Sequence, residues 1–440
     1  MRWKEAEYSG WGRVLKAEGM LARPERQRTL KAVLKETPCP ASGRRRSYGD
    51  AALNDGGRAI DMGRLDRLIG FDPETGILEA EAGVRIGEIL RLFAPRGWLP
   101  AVLPGTGFAT LGGCIANDVH GKNHSAGSFG QHVAEIALIG ANGRLRRIGP
   151  ETAPEAFRAT VGGLGQTGVM LSARIRMRPV TAATMSVRES RIGNLEEFLA
   201  LLTASEAEYC VGWIDATARG AALGRGILEE ASVADHAEAL PARRPRPVPF
   251  DAPGFLLSAP VVGLFNRLYL RRVPPDGRQL HRPMADFFFP LDRIHDWNRL
   301  YGRNGFHQFQ CVLPEGSAAE ALGRMLERVS GSALASPLAV LKRMGPGRAG
   351  MMSFPMAGFT LALDFPNRGR VKALVADLED MALQAGGRIY LAKDSLASPA
   401  AIDRMYEARA DWARIVNAAD PERRLETDLV RRLKLREGGA

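Results

Sequence analysis

The chain has 440 residues and a formal net charge of +11, with 45% hydrophobic and 25% charged residues. That composition excludes a disordered or fibrous chain and suits one large globular unit or two domains with ample core. The positive balance favours anionic partners: nucleic acid, phosphorylated small molecules or an acidic membrane surface.

The N-terminus, "MRWKEAEYSGWGRVLK", lacks the apolar core of a signal peptide, and no run of eighteen apolar residues predicts a membrane span. The four cysteines, Cys39, Cys114, Cys210 and Cys311, are too widely spaced for a metal knuckle or a redox pair, which fits a reducing cytoplasm. Residues 59–62 and 77–83 read as strands. Residues 85–97 put Ile86, Ile89, Leu90 and Phe93 on one helical face, with Gly97 as the stop. Residues 135–149 read as a hairpin turning at Asn142-Gly143, and 168–180 as a strand ended by Pro179. Residues 241–275 carry two arginine clusters around an apolar centre. Prolines 253, 260, 274 and 275 argue there for a surface excursion rather than one long helix. Strands return at 307–313, with Gln308 and Gln310 on one face and Phe309 and Cys311 on the other, at 359–366 and at 388–394. Residues 370–387 form an amphipathic helix, and 421–435 turn helical near their end.

"GLGQTG" (163–168) fits the dinucleotide fingerprint, but a helix precedes it and a strand follows. That context is reversed, so a tight turn is expected and a Rossmann fold is not. No phosphate-binding P-loop and no metal-ligand spacing occurs. Two glycine-rich stretches form a sharper pair. "SGRRRSYGDAAL" (42–53) is a loop whose N–H groups suit a pyrophosphate. "LPGTGFATLGGCIANDVHGKNHSAGSFG" (103–130) adds the hydroxyls of Thr106, Thr110, Ser125 and Ser128.

These two stretches, with "ATVGGLGQTGVM", "FFFPLDRIHDWNRLYGRNGFHQFQCVLP", "LALDFP" and "GRIYLAKDS", resemble the vanillyl-alcohol oxidase superfamily with its PCMH-type FAD-binding domain. Within it, "HGKNHSAGSFG" and "YLAKDS" are similar to a subgroup that oxidises a polyprenylphosphoryl-β-D-ribose, the first half of an epimerisation to an arabinose donor for cell-wall arabinan. The resemblance spans about residues 8–435. It implies an α+β fold with a FAD-binding domain (8–182) and a substrate-binding domain on an antiparallel sheet (183–390, with a long loop at 241–275). A C-terminal segment (391–440) would return to the FAD domain. It implies FAD contacts from Gly43, Arg46, Ser47, Tyr48, Gly49, Asp50, Gly105, Thr110, Gly112, Gly113, Asn117, His120, Val169 and Tyr390. Many relatives bond the flavin to a histidine at the position of Arg46, so FAD is expected to be non-covalent.

The same resemblance makes Lys393 the first candidate for the base, or for polarising the substrate oxygen, with Lys122 and His120 at the reacting centre. Gln310, Lys342, Thr360 and Ala362 are expected around the substrate. A lone lysine at a strand end is ordinarily a solvated charge; the subgroup motif reverses that reading for Lys393. Neighbouring cations are expected to depress its pKa. His124 and Gln308 are read as structural. In a regular strand Tyr390 and Lys393 would face opposite sides, so a bulge or strand end near Ala392 is required. The sequence departs from the family at Arg45, usually glycine, at Ala362, usually cysteine, and at Thr360, usually asparagine. A shorter lipid carrier or another phosphosugar therefore stays open. The expected partners are a lipid-linked phosphosugar and a separate NAD(P)H-dependent short-chain reductase, with no nucleic acid. A cytoplasmic place with peripheral contact at the inner membrane face follows. The competing readings are a FAD-dependent oxidase of a free sugar or alditol, and a non-catalytic lipid- or nucleic-acid-binding protein.

Overall fold

The computed structural model describes residues 3–236, 245–335 and 337–438; residues 241–244, the start of the expected excursion, lie outside them. The fold is α+β. Alternating apolar residues in the strand Val169–Pro179 make it the centre of a six-stranded sheet. It pairs antiparallel with Ile77–Glu81, Val133–Ile139 and Trp98–Pro100, and Leu68–Asp72 and Leu145–Ile148 close the edges. The helix Ile86–Phe93 buries the expected face of Ile86, Ile89, Leu90 and Phe93 against this sheet, and Gly97 ends that region at φ 81°. The hairpin 135–149 turns where expected, with Gly143 at φ 73°. A smaller four-stranded sheet, from Lys4–Ser9, Lys16–Ala22, Arg58–Asp61 and Ala41–Ser42, leads into the first glycine-rich loop.

An eight-stranded antiparallel sheet carries the second half. Its order is Arg278–Pro283, Thr184–Ile192, Gly226–Val233, Tyr209–Ile214, Ala339–Met344, Gly358–Pro366, Phe306–Leu313 and Arg388–Ile389. In Phe306–Leu313, Phe309 and Cys311 pack into a core shared with the helices Glu315–Gly331 and Val371–Gln384. Gln308 and Gln310 point the other way, into a cavity.

Two expectations need correction. The strand expected at 388–394 ends at Ile389, and residues 391–393 form a turn closed by the Lys393 N–H on the Tyr390 carbonyl at 2.9 Å. That strand end removes the parity conflict, because Tyr390 and Lys393 do not share a regular strand. The excursion contains a thirteen-residue helix, Ala259–Arg271. Pro260 sits in its first turn, where no N–H is needed, and prolines 253, 274 and 275 lie outside it. The C-terminal stretch 421–435 is helical near its end, as expected, over Asp428–Arg432.

The C-terminal residues pack back on the first half. Trp412 Nε1 donates to the Ala159 carbonyl at 3.1 Å, and Gln166 Nε2 to that of Leu425 at 2.8 Å. All four cysteines are buried and unpaired.

Candidate functional site

One large cavity of about 1340 Å³ joins the glycine-rich loops to the inner face of the eight-stranded sheet. Its first lobe is lined by Gly43, Arg46, Ser47, Tyr48, Gly105, Thr110, Gly112, Gly113, Asn117 and Val169. The "GLGQTG" stretch is the expected turn, between the helix Pro154–Thr160 and the strand Val169–Pro179, and Leu164, Gly165 and Gly168 belong to the same wall.

The first loop is shaped for close approach. A Cβ on Gly43 would fall 2.1 Å from Thr110 Oγ1, so only glycine lets the two stretches meet. Arg45, the departure from glycine, takes φ 48°, the left-handed conformation that glycine adopts without cost. Its guanidinium is tethered to Asp61 at 3.5 Å and lies over the Tyr8 ring. The Arg46 guanidinium sits between the rings of Trp11 and Phe108, 4.0 and 4.6 Å from their centroids.

Four expected residues gather where the lobes meet. Lys342 Nζ lies 3.1 Å from His120 Nδ1, and Gln310 Nε2 lies 3.0 Å from His120 Nε2. Lys393 Nζ sits 3.7 Å from the centroid of the Tyr48 ring. Tyr390 stacks on Phe354 at 4.5 Å, and its hydroxyl donates to the Asn117 carbonyl. Burial drives Lys393 down to about 8, with the Asp364 carboxylate pulling the other way. The cause is therefore desolvation rather than the neighbouring cations first expected. Lys342 falls to about 7 through burial and the charges of Lys122 and Lys393. His120 is pushed well below the usual histidine range by burial and by Lys342. Two proton arrangements satisfy this chain. In one, ammonium Lys342 donates to His120 Nδ1, and Nε2–H meets a rotated Gln310 amide oxygen. In the other, neutral Lys342 accepts from Nδ1–H, and Nε2 accepts from the Gln310 amide. The cluster can thus hold or pass one proton.

Lys122 and Ala362 also line the cavity. Lys122 Nζ donates to the Phe287 carbonyl at 2.5 Å, and burial lowers it to about 8. Three expected residues fall outside the wall. Thr360 is buried, and its hydroxyl accepts from Gln310 Nε2 at 3.2 Å, so it aims the glutamine. Gly49 is needed because a Cβ there would meet the Asp394 carbonyl oxygen at 1.9 Å. Asp50 is engaged by Arg432 at 2.7 Å, and Arg432 also binds Asp394 at 2.8 Å. Gln308, read as structural, does line the cavity and donates to buried Asp364, whose carboxyl burial raises to about 7. Sequence reasoning missed buried Asp364, although it lies within "LALDFP", and it missed Glu229, Arg272, Arg278 and Arg282 in the cavity wall, which come from two strands and a helix end with no motif around them.

The geometry agrees with the relatives of this sequence. An FAD binding domain family matches residues 20–149. Decaprenylphosphoryl-β-D-ribose oxidase of Mycolicibacterium smegmatis is 38% identical over 417 residues, 90% of this chain and 89% of that protein. An uncharacterised protein of Streptomyces coelicolor is 34% identical over 80% of this chain and 100% of its own length. D-arabinono-1,4-lactone oxidase of Yarrowia lipolytica is 23% identical over 35% of this chain and 32% of that protein. The first lobe fits FAD. Ser42 Oγ, Arg46 Nε and Asn117 Oδ1 are buried in its wall without a partner among the described residues, as donors and acceptors reserved for a bound group are.

Proposed function

The chain belongs to the decaprenylphosphoryl-β-D-ribose oxidase family of FAD-dependent sugar oxidoreductases, and from that premise we propose that it oxidises the 2′-hydroxyl of a polyprenylphosphoryl-β-D-ribose to the 2′-keto sugar. The observation that carries this reading is the buried Lys393, Lys342, His120 and Gln310 cluster in the wall of the cavity that the glycine-rich loops also line.

FAD, when bound, supplies the acceptor for the hydride that leaves the sugar carbon. Gly43, Arg46, Ser47, Tyr48, Gly105, Thr110, Gly112, Gly113, Asn117, Val169 and Tyr390 would hold it, without a covalent bond because Arg46 stands where a linking histidine would. Lys393, as neutral amine, takes the hydroxyl proton. Its burial keeps that form accessible near neutral pH. Gln310 and His120 orient the sugar hydroxyls, and Lys342 and Lys122 favour an anionic substrate. Ala362 leaves room beside Gln310.

The membrane supplies the substrate. Nine of the thirteen exposed large apolar side chains among the described residues lie between 250 and 300. The helix Ala259–Arg271 buries Val262, Asn266 and Leu270 but turns Leu264, Phe265 and Leu268 outward beside exposed Arg267 and Arg271. That mixture suits the surface of an anionic bilayer. The keto product then passes to a separate NAD(P)H-dependent reductase.

The deciding test is an anaerobic titration of the holoenzyme with polyprenylphosphoryl-ribose, following the flavin's visible absorption. Bleaching by that lipid but not by ribose or xylitol is the expected result. Bleaching by the free polyols alone would overturn the substrate in favour of a sugar or alditol oxidase.

A further inference from the structure

We propose that Arg272, Arg278 and Arg282 form a preassembled seat for the substrate's phosphate in the second lobe of the cavity; the inference rests on the reading of the substrate given above. Arg278 and Arg282 come from the edge strand Arg278–Pro283, and Arg272 from the end of the helix Ala259–Arg271. All three line the cavity. They converge on Glu189, which is fully buried and does not reach the cavity wall. Arg272 Nη1 and Arg278 Nε meet its two oxygens at 2.8 and 2.6 Å, and Arg282 donates to it as well. Glu229 takes Arg282 at 2.8 Å and Arg272 at 3.7 Å.

Three guanidiniums thus share two carboxylates, one of which lies behind them. The network holds three cations on two carboxylates, and all three guanidiniums line the cavity. Its donors are also incompletely used, because Arg272 Nε is buried without a partner among the described residues. Glu189 fixes the guanidiniums before any ligand arrives, so little side-chain entropy remains to be lost, and their planar forks match phosphate oxygens. Lys122, which lines the same cavity, joins this cluster to the sugar-binding one: Lys342 feels its charge on one side, and Lys122 feels Glu229 and Arg282 on the other. Past Arg272 the exposed apolar face of its helix begins. Sugar, phosphate and lipid would therefore lie in the order in which the substrate joins them.

The test uses holoenzyme and farnesyl phosphate, with farnesol as the neutral control, read by perturbation of the flavin spectrum. Arg278→Gln is expected to weaken farnesyl phosphate at least roughly tenfold, as loss of a charge-assisted hydrogen bond does, and to change farnesol less than about twofold. Arg278→Lys, which keeps the charge but loses the fork, is expected to fall between. Equal affinity of wild type and both variants for farnesyl phosphate would overturn the seat, as would parallel losses for the phosphate and the alcohol. Should Arg278→Gln fail to retain flavin, Arg278→Lys alone decides by the same comparison. Because this titration needs no turnover, an Arg278-dependent phosphate site in an enzyme that does not oxidise the ribosyl lipid would retain the seat and reject the substrate.

Discussion

A lysine held at about 8 beside a tyrosine ring and a buried carboxylate titrates where a general base is useful. Only the neutral amine accepts a proton, so kcat/KM should rise with pH and level off above about 8, as stopped-flow flavin reduction would show. Lys393→Ala should lower that rate by roughly 10²–10⁴ while the protein stays yellow. Asp364 raises the pKa of Lys393, so Asp364→Asn should move the acid limb of the profile to lower pH; a limb that stays in place would show that the carboxylate does not reach the amine. Acid precipitation should release the flavin into the supernatant, since Arg46 offers no linking imidazole. The sequence marked Lys393 through its motif. It left Asp364 unmarked, because an aspartate inside an apolar strand reveals its burial only after Phe306–Leu313 pairs with Gly358–Pro366.

Elements decide how the site is held and how it is reached. The turn after Arg388–Ile389 is fastened on one side by the Tyr48 N–H to the Ala392 carbonyl at 3.0 Å, and on the other by Arg432 across Asp50 and Asp394. Arg432→Ala strands two buried carboxylates and should destabilise the fold by on the order of 2–3 kcal/mol, seen as a lower melting temperature and weaker flavin retention. The helix Ala259–Arg271 is exposed in a different sense. Leu264→Glu with Leu268→Glu should reduce sedimentation with anionic vesicles and leave flavin content unchanged. Retained sedimentation would remove this helix from the membrane contact. In the FAD-binding half periodicity found Ile77–Glu81, Ile86–Phe93 and Val169–Pro179, and it passed over the strands Lys4–Ser9 and Lys16–Ala22 and the helix Gln27–Glu36. It did not find Ala259–Arg271, whose outward side is also apolar and whose flanking prolines read as breaks.

At the scale of the molecule, two sheets meet on one cavity, and each half contributes what the other lacks. The glycine-rich loops supply backbone and hydroxyl donors. The eight-stranded sheet and the turn and helix end beside it supply Lys342, Lys393, Gln310 and the arginines, while Lys122 and His120 come from the glycine-rich side. The first set was legible because tight loops constrain sequence locally: Gly43 and the 103–130 stretch announce themselves. Gly49 and Asp50 sit in the same run yet serve contacts with residues more than 340 positions away, and nothing local records that. Thr360 was placed in the right neighbourhood and one layer too close.

The fastening of the 43–50 loop by Ala392, Asp394 and Arg432 also bears on the birth of the protein. The fasteners leave the ribosome more than 340 residues after the loop they hold. Closing a contact over such a span is slow relative to forming the hairpins and helices between. The nascent chain therefore carries an unfinished flavin cleft until those three residues have been made, and cofactor capture waits for them.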